Sequence, residues 1–252
     1  PQLGATGPAT LAGSLVQHNA EFLSGLVIAQ TAKPGAPLIY GGSPTTFDQR
    51  YCTARLGAIE TMMLGCSYAI IGKYYGLPTH MYLGLSDAKI VDAQSGFEAG
   101  LGIVLGALAG INVISGPGML DFENCQSLEK LVIDNTVCGM ALRLIEGVRV
   151  DNETMALDLM SKVGPGGTYL AEKHTLEWTR KDQFLPSDLI DRQTFKAWQA
   201  SGSKDIAERA GEIVQKTLRD HQPEPLPPNV EKDLQNVMKE IMRRRGIPAL
   251  PL

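Results

Sequence analysis

The chain has 252 residues, of which 44% are hydrophobic and 20% are charged, and its formal net charge is -4 at pH 7. This composition is typical of a globular protein, and a chain without a basic surplus has no general attraction to nucleic acid. The longest apolar run, residues 99–114, is interrupted by Asn112 and is shorter than the roughly 18 residues that a membrane span needs.

Short apolar segments alternate with helical patterns over the first 147 residues. We predict strands at 37–40, 80–84 and 111–115, and Leu3-Gly4 as the end of an earlier strand. The predicted helices lie at 6–33, 57–75, 94–109 and 127–147. Because each strand is a short, continuous apolar run followed by a helix, we expect consecutive strands to pair only in parallel.

The part of the chain after Asp151 shows only helical and loop patterns. Residues 119–252 hold 39 of the 50 charged side chains, which is typical of solvated helices. An apolar stripe from Val230 to Met242 is followed by three arginines and Gly246, which is the pattern of a helix C-terminus.

The strand and helix pattern predicts an α/β protein with about four β/α units. Eight such units make a parallel (β/α)8 TIM barrel, so this chain has the content of half a barrel. We favour the barrel over a doubly wound open sheet. The predicted organisation is a barrel half at residues 1–150 and a helical C-terminal extension at residues 151–252.

The cysteines and histidines are spread along the chain without the spacing of a metal site. Four cysteines without a CxxC pattern indicate free thiols in a cytoplasmic protein, and the four histidines form neither a metal cluster nor a catalytic triad. The chain lacks a basic, signal-like start and an initiator Met. We therefore interpret it as a piece of a longer cytoplasmic protein.

The predicted loop from Ser86 to Gln94 concentrates polar side chains in a half of the chain that has few charges. We select Asp87 and Gln94 as candidate catalytic residues, because they can orient a polar ligand or a reactive group. The alternative is structural: Asp87 pairs with Lys89, and Asp92 caps the next helix.

A second predicted loop carries Asp121, Phe122 and Asn124 as candidate substrate-binding residues, with a helix N-cap as the alternative. A third loop, residues 41–46, is rich in glycine and hydroxyl groups. It offers backbone N–H groups to a phosphate, although it lacks the lysine of a P-loop.

Several ordered runs resemble the trimethylamine methyltransferase family. They lie within residues 4–13, 35–41, 75–78, 86–89, 92–94, 107–112, 118–120 and 131–134. The resemblance implies a TIM barrel enzyme, nearly twice as long as this chain, of which this chain is the C-terminal half. It also implies that a methyl group passes from a tertiary or quaternary methylated amine, of trimethylamine or glycine betaine type, to the Co(I) of a cognate corrinoid protein.

The chain departs from the archaeal trimethylamine enzymes, which carry pyrrolysine near the barrel centre. All residues here are standard, including those at 79–87, where we expect the equivalent position. A quaternary ammonium group releases a neutral tertiary amine, whereas neutral trimethylamine needs activation before a methyl group can leave. The departure therefore favours a quaternary amine as the substrate.

The resemblance also suggests how such a cation is held. Ring faces bind quaternary ammonium groups, so Tyr40, Tyr82 and Phe122 join the candidate substrate-binding residues. We expect the loops at 86–94 and 116–124 to face one cavity, with Asp87 supplying negative potential. No metal or cofactor is expected on this chain, because the partner protein supplies the corrinoid, and we expect a homo-oligomer.

Two other functions remain open at this point. The chain would be a non-catalytic protein that binds quaternary amines or acts as a scaffold, if it kept the pocket without the chemistry. It would be a barrel enzyme for a phosphorylated substrate, if residues 41–46 cradle a phosphate.

Overall fold

The computed structural model describes residues 1–249 and places eight short strands and ten helices in them. The strands are β1 (Gln2–Leu3), β2 (Tyr40–Gly42), β3 (Thr45–Asp48), β4 (Thr53–Arg55), β5 (Thr79–Met81), β6 (Val113–Ile114), β7 (Met119–Leu120) and β8 (Cys125–Gln126). The longer helices are α1 (Leu11–Ala32), α2 (Ile59–Tyr74), α3 (Ala93–Leu108) and α4 (Leu128–Glu146). The others are α5 (Asn152–Met155), α6 (Leu157–Val163), α7 (Lys173–Asp182), α8 (Phe195–Ala200), α9 (Ile206–Asp220) and α10 (Pro228–Arg245).

Each of the four predicted strands pairs in parallel with another strand. Strands β2, β5 and β6 form one sheet in that order, and β1 pairs with β3 in another. Tyr40 lies opposite Thr79, and His80 lies opposite Val113. The prediction of a mixed α/β protein with parallel pairing between the predicted strands is therefore confirmed.

The expectation that consecutive strands pair only in parallel is wrong. Strands β3 and β4 form an antiparallel hairpin, and so do β7 and β8. These strands have two to four residues each, which is too short for an alternating pattern to be visible in the sequence. No closed barrel is formed by the strands within residues 1–249.

Polar side chains set the starts of three long helices. The Thr10 hydroxyl accepts a hydrogen bond from the backbone N–H of Gly13, so α1 begins at Leu11 rather than at the predicted residue 6. Asp92 and Ser95 form a reciprocal capping box at α3, as the structural alternative for Asp92 proposed. Ser127 caps α4.

A hydrophobic core lies between strands β2 and β5 on one side and helices α1 and α2 on the other. Tyr40, Met81 and Leu83 pack there, and each of these side chains is at most 2% exposed. The other buried members are Leu3, Met62, Leu64, Tyr68, Ala69 and Ile111. Because side chains alternate along a strand, His80, which precedes Met81 in β5, lies on the other face of the sheet.

The chain forms two compact units, Pro1–Val214 and a second one that begins at Gln215. In the first unit, a smaller core joins Ile133 of α4, Leu189 and Ala210 of α9. In the second, α10 ends at Gly246, whose φ of 64° gives the left-handed cap that the sequence predicts. The predicted boundary near residue 151 stays a prediction.

All four cysteines are free, as predicted. Within residues 1–249, no helix is long and apolar enough to cross a membrane.

Candidate functional site

The loops that follow β5 and β6 contact each other at the carboxyl ends of these parallel strands. The backbone N–H of Ser86 donates to the carbonyl oxygen of Met119 at 3.1 Å, and the N–H of Asp121 donates to that of Ala88 at 3.0 Å. Binding residues of parallel α/β folds come from this end of the strands. The structure thus brings together the two loops that the sequence analysis selected.

The two candidate catalytic residues, Asp87 and Gln94, are joined by a third residue, Glu98. One carboxylate oxygen of Glu98 accepts from the Ser86 hydroxyl at 2.5 Å and from the Asp87 N–H at 2.8 Å, and the other accepts from Gln94 Nε2 at 2.9 Å. Glu98 is only 8% exposed. Glu98 is not among the site residues predicted from the sequence, although its position four residues after Gln94 on an apolar helix is a usable signal.

The Asp87 carboxylate connects its loop to the segment that precedes α2. Its Oδ1 accepts from the backbone N–H groups of Leu56 and Gly57, each at 3.0 Å. Burial raises the pKa of Asp87, and the negative charge of Glu98 adds to this rise. The side-chain pairing of Asp87 with Lys89 is not formed, because the Lys89 ammonium instead donates to the Asp87 carbonyl oxygen at 2.6 Å.

The second predicted loop forms a binding site for a cation, and the Lys89 ammonium occupies this site. The Lys89 ammonium lies 3.7 Å from the centroid of the Phe122 ring and 3.1 Å from the Asp121 carboxylate. Asp121, Phe122 and Glu123 have φ angles of 50°, 56° and 70°, so three consecutive residues adopt the left-handed conformation. Such strain concentrates at functional sites.

The side chain of Asn124 is not part of this cation-binding site. Asn124 is exposed, and its backbone N–H donates to the carbonyl oxygen of Asp121 at 3.0 Å. The alternative in which this stretch caps a helix is wrong, because Ser127 is the cap of α4.

Tyr40, a predicted substrate-binding residue, lies in the core. It is fully buried, its hydroxyl donates to Asn19 at 3.1 Å, and Phe22 lies 4.3 Å from its ring. Burial raises the pKa of Tyr40 to about 12. These contacts fill its surroundings with protein, so its position does not support a direct contact with substrate.

Tyr82 directly follows β5 and is not a member of the core cluster. Its ring meets that of His80 edge-on at 5.1 Å, and His80 Nε2 lies 2.7 Å from the Ser115 hydroxyl at the end of β6. Tyr82 is half-buried. Of the two predicted tyrosines, it is therefore the one with a ring near polar groups at the strand ends.

A buried ion pair in α4 holds both loops in place. Lys130 and Asp134 are each 1% exposed and form a salt bridge. The Lys130 ammonium also donates to the carbonyl oxygen of Gly84 at 3.2 Å, and Asp134 accepts from the N–H of Gly118 at 2.6 Å. Gly84 and Gly118 lie in the loops that follow β5 and β6, so this pair fixes their relative position.

The proposed phosphate cradle at residues 41–46 is mostly strand. Gly41 and Gly42 belong to β2, and Thr45 and Thr46 belong to β3 and pair with β1. Sheet pairing engages backbone groups that a phosphate would need. In the described part of the chain, no group of three or more His, Cys, Asp or Glu side chains can hold a metal ion.

Replacing Asp87 with Asn is expected to change how stability depends on pH. The pKa of Asp87 is raised above its ordinary value of 3.8, so the folded state binds this proton more tightly than the unfolded state. The stability from this group is present at low pH and is lost as pH rises through the raised pKa. The free energy of unfolding of wild type, relative to Asp87→Asn, should therefore fall between about pH 4 and about pH 7, as measured by urea denaturation.

The matched variant Asp87→Ala removes the acceptor of two backbone N–H groups as well as the charge. We expect it to be less stable than Asp87→Asn by about 1–3 kcal/mol at both pH values. A wild-type advantage over Asp87→Asn that grows as pH rises would contradict the raised pKa.

Comparison with known proteins gives a family match over nearly the whole chain. The family described as Trimethylamine methyltransferase (MTTB) matches residues 2–246. The chain is 43% identical to Trimethylamine methyltransferase MttB2 of Methanosarcina mazei, over 95% of this chain and 48% of that protein. It is 42% identical to Trimethylamine methyltransferase MttB of Methanosarcina barkeri, over 93% of this chain and 47% of that protein.

The similarity extends to a protein named for a different amine. The chain is 36% identical to Glycine betaine methyltransferase of Desulfitobacterium hafniense, over 92% of this chain and 48% of that protein. The chain thus spans about half the length of the curated relatives that it matches.

Proposed function

Because the chain belongs to the trimethylamine methyltransferase family, we propose that it is part of an enzyme that demethylates a tertiary or quaternary amine of trimethylamine or glycine betaine type. The methyl acceptor in this proposal is the Co(I) of a cognate corrinoid protein. The main support for this proposed activity is the family match over residues 2–246.

The site geometry supports a role in positioning a cation. The loops after β5 and β6 hold the carboxylates of Asp87 and Asp121 and the ring of Phe122. The ammonium group of Lys89 lies over this ring. A quaternary ammonium group donates no classical hydrogen bond, so ring faces and carboxylate fields are the forces that hold it. The folded loops provide both.

In this reaction, the residues of this chain orient the amine and exclude water. They do not have to transfer a proton. The corrinoid of the partner protein supplies the nucleophile. A quaternary amine leaves as a neutral tertiary amine, so no residue of this chain has to donate a proton. The ion pair of Lys130 with Asp134 and the Glu98 hydrogen bonds keep the loops rigid, as orientation of a reacting methyl group requires.

The same proposal includes the architecture of the complete protein. The parallel order β2, β5, β6, with α2 between the first two strands and α3 between the last two, supports half of a TIM barrel at residues 1–150. In this proposal the chain is the C-terminal half, residues 151–252 are a helical extension, and the complete protein is a cytoplasmic homo-oligomer.

Methyl transfer can be tested directly with the protein that contains this chain. We expect methylcobalamin to form when the protein is mixed with cob(I)alamin and either glycine betaine or trimethylamine, as followed by its absorption spectrum. Asp87→Asn should weaken amine binding in a salt-sensitive way, whereas Asp92→Asn, a helix cap in the same loop, serves as the matched control.

Other outcomes would point to the other functions. Tight amine binding without methylcobalamin would favour a non-catalytic binding protein. Hydrolysis of phosphate esters without methyl transfer would favour a barrel enzyme for phosphorylated substrates. Either result would overturn the proposed activity.

A further inference from the structure

The Lys89 ammonium lies among the groups that a substrate cation would need. It is 3.1 Å from the Asp121 carboxylate and 3.7 Å from the centroid of the Phe122 ring. It also donates a hydrogen bond of 2.6 Å to the Asp87 carbonyl oxygen. A ring face and a carboxylate are the groups that hold a quaternary ammonium group, which has no N–H to donate. A side chain of the protein therefore fills the cation-binding site.

The Lys89 side chain can leave this site at a small cost in free energy. It is 57% exposed, and the Asp121 side chain is 37% exposed. Ion pairs at such positions contribute little, because water solvates both charges and holding a long side chain in one geometry costs entropy. A cation that replaces the Lys89 ammonium keeps the charge of the site unchanged.

The site keeps its shape when Lys89 leaves, because backbone hydrogen bonds hold its two loops together. The N–H of Ser86 donates to Met119 at 3.1 Å, and the N–H of Asp121 donates to Ala88 at 3.0 Å. Neither bond involves the lysine side chain. The ring and the carboxylate are therefore available to another cation in their present positions.

The charges of this segment make Lys89 a competitor for the site. Between Lys73 and Lys130, Lys89 is the only Lys or Arg, and the same segment has six acidic residues. These are Asp87, Asp92, Glu98, Asp121, Glu123 and Glu129. An excess of negative charge attracts cations, and the nearest one in sequence is tethered to the site itself.

We propose that Lys89 is an intramolecular competitor of the substrate amine: its ammonium fills the cation-binding site in the free protein and moves into solvent when a methylated ammonium group binds. This inference rests on the proposed function and names the residue that limits its amine affinity. Only molecules with Lys89 outside the site can bind the amine, so the apparent Kd is raised by the inverse of that fraction.

Calorimetric titration with tetramethylammonium chloride measures this competition in the protein that contains this chain. Lys89→Met keeps an unbranched apolar side chain without the charge, and it should bind tetramethylammonium about threefold to tenfold more tightly than wild type. Lys89→Arg keeps a cation beside the ring and should show no gain. Lys73→Met removes the same charge in the last turn of α2, where Lys73 contacts Ala109, and should leave the affinity unchanged.

A further variant shows whether the gain depends on the shared ring. Phe122→Leu removes the ring face that both cations use, so Lys89→Met should bring little gain in this background. A gain in affinity also separates competition from a structural role, because the loss of a structural contact between the loops would weaken binding.

The reactivity of Lys89 reports the exchange directly. N-hydroxysuccinimidyl acetate acetylates free lysine side chains, and mass spectrometry of the peptides gives the rate at each lysine. Saturating tetramethylammonium should raise the rate at Lys89 by the same factor of about three to ten, because the released fraction rises to one. The rate at Lys73 should not change.

Three results would overturn this inference: no tetramethylammonium binding, no gain or a gain equal to that of Lys73→Met in Lys89→Met, and slower acetylation of Lys89 when the amine binds. The proposed function would stand in each case if methylcobalamin still formed. Tighter binding in Lys89→Met together with faster acetylation in wild type, but without methyl transfer, would support the competition and contradict the proposed activity.

Discussion

Replacing Lys130 with Met is expected to lower the free energy of unfolding by about 3–5 kcal/mol. The substitution leaves the Asp134 carboxylate, which is 1% exposed, without its cationic partner. It also removes the donor to the carbonyl oxygen of Gly84. A buried charge that loses its partner is among the few changes that destabilise a protein this strongly. Urea denaturation near neutral pH measures the loss.

The control is the double variant Lys130→Met with Asp134→Leu. It removes both charges, so it should be less destabilised than the sum of the two single variants. It still leaves the N–H of Gly118 and the carbonyl oxygen of Gly84 without partners, so we do not expect full wild-type stability. Additive losses would show that the two charges do not depend on each other.

Replacing Tyr40 with Ala should cost about 3–5 kcal/mol of stability, as other deletions of large buried rings do. Tyr40 is fully buried among the side chains between β2 and helices α1 and α2. The same replacement at Tyr82, which is half-buried and outside the core cluster, should cost less than about 1 kcal/mol. Denaturation of both variants under the same conditions gives the comparison.

Tyr40→Phe is the milder control, because it keeps the ring and loses only the hydrogen bond to Asn19. We expect it to cost about 1 kcal/mol. If Tyr40→Ala and Tyr82→Ala were equally destabilising, the placement of Tyr40 in the core and of Tyr82 outside it would be wrong.

The helices were predictable from the sequence because their limits are encoded locally. Periodic apolar residues, the caps Asp92 and Ser127 and the terminal glycines Gly147 and Gly246 agree with one another within each helix. The start of α1 was predicted too early, because Pro8 is an allowed first-turn residue and Thr10 is the better cap. Strands of two to four residues offer no comparable pattern, and this is why both hairpins were missed.

The candidate site was predictable only in part. The polar loop at 86–94 was visible because charge is rare in that half of the chain. Lys130 and Asp134, by contrast, are four residues apart on a helix and look like an ordinary surface pair. Their burial depends on contacts with Gly84 and Gly118, from distant parts of the chain. For Tyr40, a short apolar strand does not reveal which face is covered.

The buried pair in α4 also has a consequence for the order of events during folding. Lys130 and Asp134 lie within one turn of α4, yet the groups that they hold belong to two other segments. These two loops can therefore reach their native shape only once α4 has docked, and α4 cannot leave without releasing both of them. Docking of the helix and closure of the loops are then one cooperative step. The Gly118 N–H should exchange with solvent hydrogen only when that whole unit opens.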